Sequence, residues 1–166
     1  MREEIRLSFL SVLATAAPEV WSVVATMDGV NAELGPWFRM TTPVGASSLH
    51  LDDAPTGLRL FSSWLLLRGI PVDRHALALE EVFPGEGFRE HSTSWLEASW
   101  IHERHVRAVG EDACTVEDHL AFVPRLALVR PLVRRIVAAT FHHRHRQLRR
   151  RFGVALTRFR PLRAGR

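Results

Sequence analysis

The sequence predicts an α+β domain in which a curved antiparallel sheet of about six to seven strands wraps one long C-terminal helix, with two short helices after the first strand. Three observations predict it. From Pro124 to Phe152, apolar side chains recur at Val129, Val133, Ile136, Val137, Thr140, Phe141, Leu148 and Phe152, a three-four spacing that lines one side of a helix. From about Leu58 to Val123 the chain reads as short alternating strands punctuated by turns. Near the start, the two-residue period of Ile5, Leu7 and Phe9 gives way to a helical one.

Glu4 to Leu13 alternates apolar residues with Arg6 and Ser8, as a half-buried strand does. Ala17-Pro18-Glu19-Val20-Trp21 places a proline and an acid where a first helical turn accepts them, with Trp21, Val24 and Ala25 on the buried side. Asp28-Gly29 interrupts, Val30 to Gly35 continues as a second short helix, and Gly35-Pro36 ends it. Trp37 to Thr42 is the next strand, and Pro43 to Gly57 a connection or a short edge strand. Leu58 to Leu67 and Val72 to Phe83 flank a turn at Gly69-Ile70-Pro71, the second strand carrying His75, Leu77, Leu79 and Phe83 in one phase. Pro84-Gly85-Glu86-Gly87 turns the chain into Phe88 to Trp95, Trp100 to Val109 and Cys114 to Val123. Gly153 is placed to cap the long helix, which leaves residues 1–153 as one domain and 154–166 as a basic, loose tail.

At 166 residues one domain is long enough for a real core. A single Cys114 excludes an intramolecular disulfide, and no apolar run approaches the roughly 20 residues of a membrane helix. With no signal-like opening, a cytoplasmic protein is expected. Every basic residue is arginine, and residues 125–166 hold 13 of the 22 arginines and no acid. An acidic body therefore carries a basic helix and tail. Arg135, Arg146, Arg149 and Arg150 read as a solvated outer face, and the alternative is a footprint for nucleic acid or anionic membrane. No pattern fixes an oligomeric state.

Several segments resemble the SRPBCC superfamily, also called Bet v 1-like or START-like. Ala17-Pro18-Glu19-Val20-Trp21 resembles its AP-x-E-V-W opening, and Trp37-Phe38-Arg39-Met40-Thr41 the segment after its second short helix. Gly69-Ile70-Pro71-Val72, then Phe88, then Trp100, His102 and Val106 fall where bacterial ligand-binding members carry G-I-P, F and W-x-H-x-H-x-F. Asp118, Leu120 and Phe122 fall on its D-x-V-x-Y, and Phe141 to Phe152 is similar to its F-x-x-R-H-x-x-L-x-x-x-F helix end. Arg104 stands at the second histidine of the first pattern, Phe122 at the tyrosine of the second, and Trp95-Leu96-Glu97 replaces a Gly-Pro-aromatic segment. The resemblance implies a helix-grip fold and a cavity for a small hydrophobic ligand such as a lipid, sterol, polyketide or aromatic metabolite; with no P-loop and no G-x-G-x-x-G, no cofactor is expected. It implies a carrier or sensor, or alternatively a cyclase or dehydratase.

Alternation puts Trp100, His102, Arg104 and Val106 on one strand face and Val116, Asp118, Leu120 and Phe122 on one face of its partner. Glu103, His105, Arg107, Glu117 and His119 share the opposite, watery phase. Arg144 lies at i+3 from Phe141 and i−4 from Leu148, inside the apolar stripe, so Arg144 or Arg104 must pair with Asp118 or with a ligand. One reading is an ion pair fastening helix to sheet. The other is the polar end of a cavity walled by Trp37, Trp64, Trp100, Leu120, Phe122 and Phe141, with His75 in the same inward set. In an enzyme, His102 would transfer the proton and Asp118 fix its tautomer. His142 and His145 form an i, i+3 pair that either titrates in solvent or, less commonly, meets a metal. Cys114 reads as a small buried hydrophobe.

Overall fold

Strand β1 (Ile5–Leu13) leads into two short helices, α1 (Ala17–Val24) and α2 (Met27–Leu34). The computed structural model describes residues 3–47 and 49–155. After α2 come β2 (Phe38–Met40), β3 (Arg59–Leu67), β4 (Ile70–Phe83), β5 (Gly87–Ser94), β6 (Glu97–Ala108), β7 (Cys114–Pro124) and finally α3 (Arg130–Phe152). The seven strands form one sheet in the order β1-β7-β6-β5-β4-β3-β2, with every neighbouring pair antiparallel. The first strand thus pairs with the last, and the two helices carry the chain to the opposite edge. This is the helix-grip architecture predicted from the sequence.

Local chemistry accounts for most boundaries. Helix α1 starts with a proline in its first turn and Glu19 near its positive end, and it buries Ala17, Val20, Trp21 and Val24. The expected interruption at Asp28-Gly29 does not occur. Thr26 caps α2 by accepting from the Gly29 amide at 3.0 Å, so Asp28 and Gly29 form its first turn and the break lies at Ala25-Thr26. Glycine is needed there because a Cβ would stand 1.9 Å from the Val23 carbonyl oxygen.

Helix α3 begins at Arg130 rather than Pro124, because β7 keeps its ladder to Pro124, opposite Glu97, and a 3-10 turn at Ala127–Val129 intervenes. The β3–β4 turn is shorter than expected, since Ile70 and Pro71 already pair with Leu67 and Leu66. A register shift between Leu79 and Glu81 breaks the even phase of β4. Val82 therefore packs on the core, and Phe83 lies instead against the His105 ring at 5.6 Å.

Apolar packing divides into two clusters. One gathers Leu13, Val20, Trp21, Val24, Val116, Leu148 and Phe152 under α1 and the end of α3. The other joins Ile5, Leu120, Phe122, Val133, Val137 and Phe141 beneath the first half of α3. Gly153, at φ 75°, ends the helix, and Val154 bridges to Leu13, so the segment expected as a loose tail starts docked on β1. The rest of that expectation, residues 156–166, lies outside the described residues. Replacing Gly29 with Ala should cost about 1–3 kcal/mol of unfolding free energy in a urea titration, because the added methyl meets backbone. An unchanged midpoint would mean that α1 and α2 do not approach this closely.

Candidate functional site

Between sheet and α3 lies a ladder of charge that begins with Arg104, which is fully buried. Its Nε and Nη2 donate to Asp118 Oδ1 and Oδ2, both at 2.8 Å. Its Nη1 and Nη2 also donate to Glu33 Oε1 at 2.7 Å and Oε2 at 2.9 Å. One guanidinium is thus forked onto two carboxylates, from β7 and α2. Asp118 further accepts from His102 Nε2 at 2.8 Å and His145 Nε2 at 2.9 Å, which fills both of its oxygens. Glu33 also accepts from Arg144 Nε at 2.8 Å. His145 Nδ1 reaches Ser11 Oγ at 2.8 Å, and Arg149 donates to the same hydroxyl. Burial works to raise the pKa values of Asp118 and Glu33, but Arg104 overrides it and holds both below the ordinary carboxylate range.

Above this ladder is a cavity of about 350 Å³. Its walls are apolar over most of their extent, with Leu34, Leu60, Leu77, Phe88, Trp100 and Phe141 facing it. Leu67, Val72, Leu96 and Ile136 line it and are also 38–47% exposed, so they mark an apolar rim at its mouth. Polar groups enter at a few points. His75 Nε2 donates to Glu90 Oε1 at 2.5 Å, and the other Glu90 oxygen lies 3.8 Å from His102 Nδ1. Burial pushes Glu90 up, yet His75 and His102 bring it well below the usual range; the same pairing raises His75 against the burial that would lower it. Glu97 and Asp73 also line the cavity. Glu97 accepts from the Ser94 hydroxyl, and its pKa is raised by burial and by Asp73.

The structure separates the residues that the sequence placed together. His75, Trp100, His102, Phe141 and Arg144 line the cavity. Trp37, Trp64, Arg104, Asp118, Leu120 and Phe122 do not. Trp37 is 46% exposed and stacks under Arg68, and Trp64 packs edge-on against Trp95, at a centroid distance of 4.8 Å. Leu120 and Phe122 are buried in the cluster under α3, while Arg104 and Asp118 lie one layer deeper, sealed by their own hydrogen bonds. His145 is not solvent-facing but is held between Asp118 and Ser11, which leaves no lone pair for a metal shared with His142. Arg149, expected on the outer face, donates to Ser11.

Four buried acids lie outside the residues that the sequence singles out: Glu33, Asp73, Glu90 and Glu97. Three carried a signal. Glu33 follows Val30 at i+3, Glu90 shares the phase of Phe88, and Asp73 shares that of His75 and Leu77. Glu97 follows an irregular Trp95-Leu96 and had none. Among the described residues, no group of three or more His, Cys, Asp or Glu is arranged to hold a metal ion. Chemically, Asp118 is saturated and serves to hold its neighbours. His75, with Glu90 on one nitrogen, presents the other as a hydrogen-bonding group at the cavity wall.

A family model described as "Domain of unknown function (DUF8410)" matches residues 11–152. No curated protein matches by sequence. Among solved structures, a START superfamily protein from Mycobacterium smegmatis superposes with a TM-score of 0.62 at 13% identity, covering 89% of this chain and 96% of the other. Protein CV1439 from Chromobacterium violaceum gives 0.63 at 16%, covering 93% and 100%. Truncated norcoclaurine synthase from Thalictrum flavum gives 0.56 at 12%, covering 87% and 92%. These likenesses show the fold, that of the SRPBCC superfamily.

The ion pairs set a pH window for stability. Asp118, Glu33 and Glu90 have depressed folded pKa values, so their contribution is present above the unfolded carboxyl value of about 4 and is lost as pH falls. His75 is raised, so its contribution is complete below about 6.5 and is lost as pH rises through the folded value. Glu97, raised by burial, opposes the carboxylate trend. Urea titrations should therefore find greatest stability at about pH 5–6.5. Glu90→Gln should flatten the alkaline decline; an identical slope would remove the pair from the ledger of stability.

Proposed function

This chain belongs to the DUF8410 family and has the SRPBCC fold, and we propose that it binds one small, mostly apolar molecule in the cavity under α3, as a carrier or sensor. The observation that carries this reading is the space itself. A chain with five tryptophans has the side-chain volume to fill the gap between sheet and helix, yet of these only Trp100 lines it. The volume lies at the small end of the usual range for ligand sites, and a few polar groups converge on apolar walls, as in such sites generally. The exposed apolar rim gives a molecule that avoids water a continuous surface from mouth to interior.

Binding is favoured over turnover by the state of the polar groups. Asp118 has no free lone pair, and both nitrogens of His102 face carboxylates, so neither is available to attack or deprotonate a substrate. Lipids, polyketides and aromatic metabolites all share the required chemistry.

The neutral fluorophore N-phenyl-1-naphthylamine tests the proposal, because its emission rises on leaving water. Wild-type protein should bind it at one site. Leu77→Trp, which puts a bulky ring into the cavity, should weaken binding at least tenfold, whereas Leu10→Trp on an exposed position should leave it unchanged. Equal affinities for all three would place the dye elsewhere and refute the proposal.

A further inference from the structure

Among the described residues, Arg144 is the cavity-lining side chain whose hydrogen-bonding capacity is mostly unspent. It is 6% exposed, and its Nε donates to Glu33 at 2.8 Å. Its two terminal amino groups have no hydrogen-bond partner among the described residues, although a guanidinium offers five N–H donors. The guanidinium carbon lies 4.7 Å from the Phe141 ring centroid, and both residues line the cavity. These amino groups keep accessible area although the residue as a whole is buried, so a molecule in the cavity that Arg144 lines can accept from them. Arg104, one layer below, shows the contrast: its three nitrogens are all engaged.

Charge decides what kind of acceptor fits. Arg104 and Arg144 face Asp118 and Glu33, so two cations already meet two carboxylates. Glu90 on the same wall faces His75, and Glu97 and Asp73 add further carboxyl groups to the lining. A ligand carboxylate, sulfate or phosphate would bring an anion into a cavity whose arginine charge is already matched. A neutral oxygen would accept the same hydrogen bonds without that cost.

We propose that the terminal amino groups of Arg144 bind a neutral carbonyl oxygen, of a ketone, ester or amide, on the molecule that occupies the cavity. This rests on the binding reading above and narrows it to uncharged carbonyl compounds with an apolar body. Arg144 then has two roles on separate atoms: Nε anchors α3 to α2 through Glu33, and the amino groups face the ligand.

The test uses two uncharged fluorophores of similar size, of which only one has a carbonyl: 6-propionyl-2-dimethylaminonaphthalene, a ketone, and N-phenyl-1-naphthylamine. Arg144→Met should weaken the ketone about tenfold more than it weakens the amine, whose change reports the loss of the Glu33 anchor alone. Arg144→Lys, which keeps the charge beside Glu33 but loses the fork, should fall between them. Equal loss of both dyes, or no loss of either, would overturn the assignment of Arg144 while leaving cavity binding intact. Failure of wild-type protein to bind the amine would remove the cavity reading and this inference with it. A measurement on wild-type protein avoids dependence on how the variants fold. The infrared carbonyl stretch of the bound ketone should lie below its frequency in hexane, as for a strongly hydrogen-bonded carbonyl, and should return toward it in Arg144→Met. A hexane-like frequency in wild-type protein would contradict the proposal.

Discussion

The buried guanidinium of Arg104 is the constraint on which the structure depends. A cation with no exposure must be met by anions, and two carboxylates from different elements meet it, Asp118 on β7 and Glu33 on α2. Each carboxylate then reaches α3, Asp118 through His145 and Glu33 through Arg144. Four elements are thereby fixed by hydrogen bonds whose lengths and angles are tightly limited, more so than those of apolar contacts. Such networks are weak evidence for stability, because desolvation cancels much of the attraction. Their consequence here is positional: α3 is held against α2 and the β6–β7 hairpin at its C-terminal half, while its N-terminal half rests on Val133, Val137 and Phe141.

That arrangement explains why a cavity survives. Phe141 and the cluster beneath it close the space toward β1 and β7, and the ladder closes it below. The remaining walls come from α2, the segment after β2, and β3, β4 and β5, with side chains such as Leu34, Leu51, Leu60, Leu77 and Phe88. The polar groups that reach the lumen are either paired, as His75 and Glu90 are, or partly unspent, as Arg144 is. A neutral guest fits this balance better than an ion.

Much of this was legible in the residues. Three-four spacing identified α3, two-residue alternation identified the sheet, and the inward phase of His102, Arg104 and Asp118 was read correctly because β6 and β7 pair without slippage through those positions. The errors had physical causes. Aromatic residues are expected to wall the cavity, yet Trp37, just before β2, packs with Arg68, and Trp64, on β3, packs with Arg74 and Trp95. Glu33 was hidden because Asp28-Gly29 read as a break, when Thr26 in fact caps through it. His145 lies at i+4 from Phe141 and i−3 from Leu148, the same buried stripe that marks Arg144, whereas its i, i+3 spacing to His142 points to solvent or a metal. The useful signal was a polar residue at an apolar position, and it applied at Glu33, Glu90 and His145 as well as at Arg144. The depth of the cavity had no sequence signal, since it depends on how far α3 stands from β3 and β4.

The most direct measurement is native mass spectrometry of the full chain purified from the organism that encodes it, followed by denaturation and identification of what is released. One neutral, carbonyl-bearing apolar molecule per chain, absent from Leu77→Trp, is the expected result. A charged passenger, or one that Leu77→Trp retains in full, would contradict the central claim that the space under α3 is a site for an uncharged guest.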